Sequence, residues 1–272
     1  MTVLERLRKK ANKIRFRVIE NSAKTGTPHL GSCLSCVDIL TALYFSKALD
    51  LDIKSIDNST RNRFILSKGH AAPALFCTLA EKGIIAESAM LTYGENGSYL
   101  GEHPPSPEHL PGIEAATGSL GHGLPMGLGM ALASRIQKKH FNVFVLLGDG
   151  ECNEGSVWEA AMLASAQGVK NLCVIVDYNK WQATDRSNEV MSISPLDKKW
   201  EAFGWDVMSI DGHDFSAILH SIKQMVNSDK PLAIIANTIK GKGVSFMEDD
   251  NNWHYRIPKE EEVAIAKMEL EV

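Results

Sequence analysis

The residues best suited to chemistry stand in two short polar segments, each following an apolar run. Gly148-Asp149-Gly150 follows NVFVLL, and Asn179 follows LCVIVD. A continuous apolar run of this kind reads as a parallel strand buried on both faces. A strand–helix–strand unit in a parallel sheet returns the chain beside its start, so this spacing predicts Asp149 and Asn179 at neighbouring strand ends. One carboxylate and one amide oxygen make a modest hard ligand set. Mg²⁺ accepts it when a diphosphate and water complete the octahedron. The flanking glycines let backbone approach phosphates, and a helix starting near Asn153 adds N–H groups. Gly-Asp-Gly alone also suits a turn with Asp149 as N-cap; Asn179 after a second strand tips the reading toward a diphosphate and its metal.

A second glycine-rich loop, Thr117-Gly118-Ser119-Leu120-Gly121-His122-Gly123, opens a helix of small residues. It lacks the G-x-G-x-x-G order of a dinucleotide site, and the chain has neither a P-loop nor a G-x-S-x-G nucleophile elbow. Six histidines fall in loop-like segments: His29, His70, His103, His122, His213 and His254. Imidazoles suit proton transfer near neutral pH and donation to phosphate or alkoxide oxygens. Without an H-x-x-x-H or H-E-x-x-H pair, a histidine metal cluster is not expected. The five cysteines are odd in number and lie mostly in apolar runs, which fits a reducing compartment and predicts a cytoplasmic protein. Cys33-x-x-Cys36 reads as two small residues on adjacent turns of a buried helix.

Alternating strands and helices must position these groups. The patterning predicts an amphipathic helix over 3–23, a buried helix over 34–46, a strand or loop over 63–67, and a helix over 71–82 closed by Gly83. A Pro- and Gly-rich loop over 92–117 and a helix over 124–138 follow. Further strands are expected over 142–147, 172–176, 206–210 and 232–238, with helices over 153–167 and 215–227. The expected fold is α/β, a doubly wound, mostly parallel sheet flanked by helices, with ligands at the carboxyl ends of its strands. The 272 residues are 44% apolar and 23% charged, ordinary for a folded chain. A net charge of −4 argues against nucleic acid or an anionic membrane as the main partner. No apolar run approaches a membrane span, and the N-terminal segment does not read as a secretory signal.

Five segments together resemble the transketolase family: GDGECNEGSVWEAAMLASAQGVKNLCVIVDYNKWQ, RFILSKGHAAPALF, GIEAATGSLGHGLPMGLGMALA, IDGHD and TIKGKGVSFME. They run in family order over roughly residues 5–265. The resemblance implies thiamine diphosphate and Mg²⁺ (or Ca²⁺ or Mn²⁺) as cofactors and transfer of a two-carbon ketol unit from a ketose to an aldose acceptor. It also implies that residues 1–272 form one diphosphate-binding domain. The pyrimidine-binding and C-terminal domains are expected on a partner chain, a C-terminal transketolase section, most simply as α₂β₂, with activity only in the complex. By motif, Asp149, Asn179 and the carbonyl of Trp181 would bind the metal. Gly150, His70 and His213 would contact the diphosphate, and Gly118, Ser119 and Leu120 the aminopyrimidine. His29 and His103 would face a small sugar or sugar-phosphate substrate, and Glu154 would lie at the interface between active sites.

Three departures from the family pattern bear on the substrate. Thr27-Pro28-His29-Leu30-Gly31 places proline before the histidine, Gly121-His122-Gly123 adds an imidazole, and Tyr93-Gly94-Glu95-Asn96 replaces a basic segment. Losing a cation and gaining a carboxylate predicts a substrate other than an ordinary pentose phosphate pair. The competing readings are a deoxyxylulose phosphate synthase-like chain, a 2-oxoacid dehydrogenase α-like chain and a catalytically silent chain that serves assembly.

Overall fold

The computed structural model describes residues 1–51, 54–225 and 228–272. Helix α1 (Val3–Thr25) starts at a capping box in which Thr2 and Glu5 each accept the other's backbone N–H, and ends at left-handed Gly26. The buried helix expected over 34–46 is instead two helices, α2 (Leu30–Ser35) and α3 (Val37–Phe45), broken at Cys36. The break falls beside Ser35, whose hydroxyl is drawn to Asp177, 2.6 Å away. Strand β1 (Arg63–Leu66) leads through a 3-10 turn, Gly69–Ala71, into α4 (Ala72–Lys82). The long loop ends at α5 (Gly123–Ile136), which stops short of the expected 138 because Lys138 is left-handed, with φ 56°.

Strand β2 (Val143–Gly148) passes through a 3-10 turn, Gly150–Asn153, into α6 (Gly155–Ala166). Strand β3 (Leu172–Tyr178) runs two residues past the expected end, so Asp177 belongs to the sheet. Two helices without a clear sequence signal, α7 (Ser187–Val190) and α8 (Leu196–Ala202), precede β4 (Asp206–Asp211). Helix α9 (Phe215–Gln224) matches the start of the segment expected over 215–227, whose residues 226 and 227 lie outside the described ones. Strand β5 (Leu232–Asn237) and a C-terminal helix not foreseen, α10 (Glu260–Glu269), complete the order.

The sheet is parallel throughout, in the order β1-β2-β3-β5-β4. Alternate residues of the central strands enter two cores. Phe144, Leu146, Cys173, Ile175, Leu232 and Ile234 pack with α1, α3, α4 and α9. Val143, Val145, Leu172, Val174, Val176, Ala233 and Ile235 pack with α5, α6 and α8. Burial on both faces is why these strands read as unbroken apolar runs. All five cysteines are buried and free, Cys33 and Cys36 among them. Among the described residues, no helix is long and apolar enough to cross a membrane.

Helix α5 approaches β2 closely at Gly127, where an added Cβ would lie 2.5 Å from Val145 Cγ2, whereas nothing lies within 4 Å of one added at Gly129. Gly127→Val should destabilise the chain by about 1–3 kcal/mol through overpacking. Gly129→Ala should stabilise it by about 0.5–1 kcal/mol by raising helix propensity. Urea unfolding midpoints check both, and equal shifts would contradict this packing.

Candidate active site at the carboxyl ends of the strands

Parallel pairing sets Gly148 of β2 opposite Asp177 of β3 and so brings Asp149 beside the segment that carries Asn179. The Lys180 N–H donates to Asp149 Oδ2 at 2.9 Å, and the Ser187 hydroxyl donates to the same oxygen at 2.7 Å. Asp149 Oδ1 accepts the Gly150 N–H, so the carboxylate also caps the following 3-10 turn. Asn179 Oδ1 accepts the Trp181 N–H at 3.0 Å. Lys180 between them is left-handed, with φ 69°. The hairpin is braced outside by Arg186, which stacks on Trp181 at 3.8 Å and pairs with Asp249. Both ligand candidates are buried. Burial pushes the Asp149 carboxyl up to about 6, against the Ser187 hydroxyl bond, with nearby Asp177 adding to the rise.

Beneath them lies an ion pair that sequence reasoning missed. Lys68, just past β1, pairs with Asp177 of β3, and both are almost completely buried. Asp177 also accepts from Ser35, Thr238 and Asn179, while Lys68 donates to the Ser32 carbonyl. Burial opposes both charges, yet each partner holds the other ionised: Lys68 is shifted up and Asp177 down. The only sequence signal was the pair of ionisable residues beside apolar runs. A second missed carboxylate, Glu151, accepts from Ser67, from the Gly121 N–H at 2.9 Å and from the Gly148 N–H at 3.0 Å. It ties the loop 117–123 to the end of β2. The approach is close: an added Cβ at Gly69 would lie 2.8 Å from the Thr117 carbonyl.

Three imidazoles gather above this floor. The ring centroids of His29 and His70 are 5.5 Å apart, those of His29 and His254 5.0 Å, and those of His70 and His254 6.0 Å. The backbone holds His29 in the left-handed region at φ 74°, with its N–H donating to the His254 carbonyl at 2.7 Å. Burial lowers all three rings, aided by Lys68 at His70 and by Lys240 at His254, which falls to about 3. Glu102 opposes the shift at His29. Neutral imidazoles can each donate one N–H and accept one. At His254, Nδ1 accepts from Lys240 at 3.1 Å, which leaves the proton on Nε2.

Lys240, in the TIKGKG segment, is a further group the sequence reading did not single out. Its ammonium donates to the Gln182 carbonyl, Asn251 Oδ1 and His254 Nδ1, all neutral, and among the described residues no carboxylate lies within ion-pair distance. Burial, with Lys68 adding repulsion, lowers it to about 8. Nearby Gln182 Nε2 is a buried donor without a partner, and its side chain lies where a Cβ on Gly150 would point. A buried cation that Asp149, Asp177 and Asp250 offset only from a distance, and an unused donor beside Gly150, are what an anion would satisfy.

The remaining sequence candidates separate. His103 is exposed, with its ring against Gly118; a Cβ there would lie 3.2 Å from His103 Cδ2. Gly118 and Ser119 are exposed and Leu120 half-buried, along one rim. His213 is committed elsewhere: Nδ1 donates to Asp38 at 2.8 Å, and Nε2 accepts the Ile239 N–H at 2.9 Å. Burial disfavours the Asp38 charge, but Arg15 and His213 hold the carboxyl at about 2. His213 thus anchors the residue next to Lys240 and has no free ring nitrogen. Exposed His122 donates from Nδ1 to the Leu120 carbonyl at 3.1 Å. Glu154 is exposed at the start of α6 without a side-chain cap bond. Glu95 lies in a separate groove beside Tyr99 and Leu110. Glu102, by contrast, is near enough to His29 to oppose the lowering of its ring. Among the described residues, no three His, Cys, Asp or Glu side chains form a metal cluster.

Residues 7–272 match the family described as the thiamine diphosphate binding domain of transketolase. The chain is 42% identical over 267 residues to one of the subunits of an apulose-4-phosphate transketolase from Actinobacillus succinogenes, covering 98% of this chain and 96% of that protein. It is 39% identical over 268 residues to the SqwG chain of a 6-deoxy-6-sulfo-D-fructose transketolase from a Clostridium species, with 97% of each covered. The crystal structure of Campylobacter jejuni transketolase superposes with a TM-score of 0.91 at 28% identity, over all of this chain. The chain spans 43% of that transketolase's length.

The lowered Lys240 has a pH consequence. Unfolded, its ammonium keeps its proton to about pH 10.4, whereas folded it loses it near 8, so the unfolded state binds more protons in between. This group therefore costs stability below pH 8, and the cost is relieved as pH rises toward 10. Comparing wild type with Lys240→Met by urea unfolding at pH 8 and pH 10, the wild type should gain up to about 1 kcal/mol per pH unit relative to the variant. Parallel pH profiles would refute a buried cation whose burial outweighs its compensation.

Proposed function

The chain belongs to the transketolase family through its thiamine diphosphate-binding domain, and we propose that it is the diphosphate-binding subunit of a split transketolase that transfers a two-carbon ketol unit. The observation that carries this reading is the join between two half-finished sites. Asp149 and Asn179 offer oxygens at neighbouring strand ends. Lys240 offers a buried ammonium whose partners are all neutral, and Gln182 offers an unmatched donor beside Gly150. A diphosphate with its divalent cation answers both.

Asp149, Asn179 and the Trp181 carbonyl would hold Mg²⁺. The absence of a larger protein ligand cluster among the described residues fits a metal that also needs phosphate oxygens. Lys240, Gln182, Gly150 and His70 would face the diphosphate, and Gly118, Ser119 and Leu120 the aminopyrimidine. His213 is better suited to positioning than to phosphate donation, because a ring nitrogen would first have to release Asp38 or Ile239. When bound, thiamine diphosphate supplies a carbon nucleophile and an electron sink.

The chain's own residues then work on the sugar. His29, His70 and His254 are neutral groups clustered above the strand ends, and His103 stands at the rim beside Gly118. Each can donate to a carbonyl or alkoxide oxygen and take a proton from a hydroxyl. Lys240 fixes the His254 proton on Nε2, the nitrogen free to face a substrate. The substrate class is a ketose donor with an aldehyde acceptor. The names of two relatives carry sugars bearing a phosphate or a sulfonate, and Glu102 makes it unfavourable for such an anion to sit against His29.

A partner chain completes the proposal, most simply as α₂β₂. The two relatives named as subunits have nearly this length, whereas the Campylobacter jejuni transketolase is more than twice as long. Helices α5 and α6 lie side by side and leave large apolar side chains in solvent: Ile136 at 78% exposure, with Met162 and Leu163 about half exposed. Exposed apolar groups on these two neighbouring helices suit an obligate interface, and Glu154 is exposed at the start of α6. The free, buried cysteines fit a cytoplasmic location.

Mixing tests the reading. The purified chain with Mg²⁺ and thiamine diphosphate should transfer no ketol unit, and activity should appear on adding the cognate C-terminal section. Turnover by the isolated chain would overturn the split arrangement. In the assembled complex, Asp149→Ala should abolish Mg²⁺-dependent thiamine diphosphate binding, measured by calorimetric titration. Unchanged affinity would overturn the metal assignment.

A further inference from the structure

One large side chain at the mouth of this site is left without a role. Tyr255 follows His254 directly, yet the two are placed very differently: His254 is buried and Tyr255 is 64% exposed. The turn Asn251–His254 that presents them is fixed. Asp250 caps it by accepting the Asn252 N–H at 3.0 Å, and the Tyr255 N–H donates to the Asn252 carbonyl at 3.2 Å. Trp253 anchors it from below, fully buried, with its indole N–H donating to the Phe246 carbonyl at 2.9 Å. Arg256 packs back on Trp253 and pairs with Glu262, drawing the next side chain away. The phenol is thus held outward by its neighbours. Its ring meets His254 edge-on at 4.7 Å and lies 6.2 Å from His29.

A mostly exposed aromatic against two catalytic-type imidazoles is a wall that solvent touches on one face and the reaction space on another. Aromatic side chains bury a large apolar area while keeping a polar tip wet. A sugar has the matching chemistry, with C–H groups for the ring and hydroxyls for the phenol oxygen. We propose that Tyr255 is a specificity-determining residue that forms the substrate-facing wall of the mouth and packs against the carbon chain of the sugar beyond its reacting carbons. This rests on the ketol-transfer reading above. A two-carbon aldehyde would end before reaching this wall, whereas a four- or five-carbon aldose would extend along it.

The test uses the complex assembled with its C-terminal section, with hydroxypyruvate as donor and glycolaldehyde, D-erythrose or D-ribose as acceptor. Tyr255→Ala should raise KM for the two aldoses about tenfold and leave kcat within about threefold, with glycolaldehyde nearly unaffected. Tyr255→Phe, which keeps the ring, should recover most of the loss. Thiamine diphosphate affinity and complex assembly, followed by titration and sedimentation, should match wild type. An equal loss on glycolaldehyde and the aldoses, weakened cofactor binding or assembly, or no change at all would each overturn the role. A wild-type complex that binds thiamine diphosphate but transfers no ketol unit to any of the three overturns the underlying reading, and does so before any variant is made.

Discussion

The buried ion pair between Lys68 and Asp177 is the interaction on which the working edge of the sheet depends. β2 lies between the strands that carry the two partners, so the pair reaches across the end of β2 beside Gly148. A Cβ at Gly148 would lie 3.9 Å from Lys68 Cβ, which shows how near the lysine stem passes. Asp177 then collects Ser35 before the break between α2 and α3, Thr238 beyond β5, and Asn179 on its own strand's continuation. Three separate segments, besides its own, are tied to one carboxylate. Such a pair is costly to desolvate, and its worth lies in fixing one arrangement. Removing either member would leave an unmatched buried charge, at a cost of about 3–5 kcal/mol.

That same pair sets the electrostatics above it. Lys68 helps push His70 down and adds to the repulsion that lowers Lys240, while Asp177 adds to the rise at Asp149. The edge therefore holds a carboxylate inclined to take a proton and an ammonium inclined to lose one. Both tendencies reverse when a cation meets the first and an anion meets the second. In the proposed function, a metal–diphosphate pair would deliver both together, and the free energy spent on folding these charges into low dielectric would be returned on binding.

Much of this was legible in the chain itself. The strand runs 143–148, 172–178 and 232–237 announce themselves because a parallel strand covered on both faces needs apolar residues at every position. Asp149, Asn179, His29 and His70 could be picked out because polar groups that end or interrupt apolar segments must have a use. The misses have a common cause. Lys68 and Asp177 read as ordinary ends of apolar runs because their meaning lies in each other, across a separation in sequence that no periodicity reports. Lys240 escaped for the same reason, and the helices 187–190 and 196–202 are short enough to be set by packing more than by pattern.

The sequence by itself determined the class of fold, the family, and which oxygens stand at the ends of strands, because those follow from local burial and from motifs of fixed spacing. Only the tertiary structure decided how the candidates divide. His213 turned toward Asp38 and Ile239, and His254 joined His29 and His70. Glu102 came near enough to His29 to oppose its shift, whereas Glu95 lines a separate groove. The physical reason is that a side chain's charge state and direction depend on neighbours brought together through space. Desolvation and Coulomb interaction act over a few ångströms, and in this chain those ångströms join residues from opposite ends of the sequence.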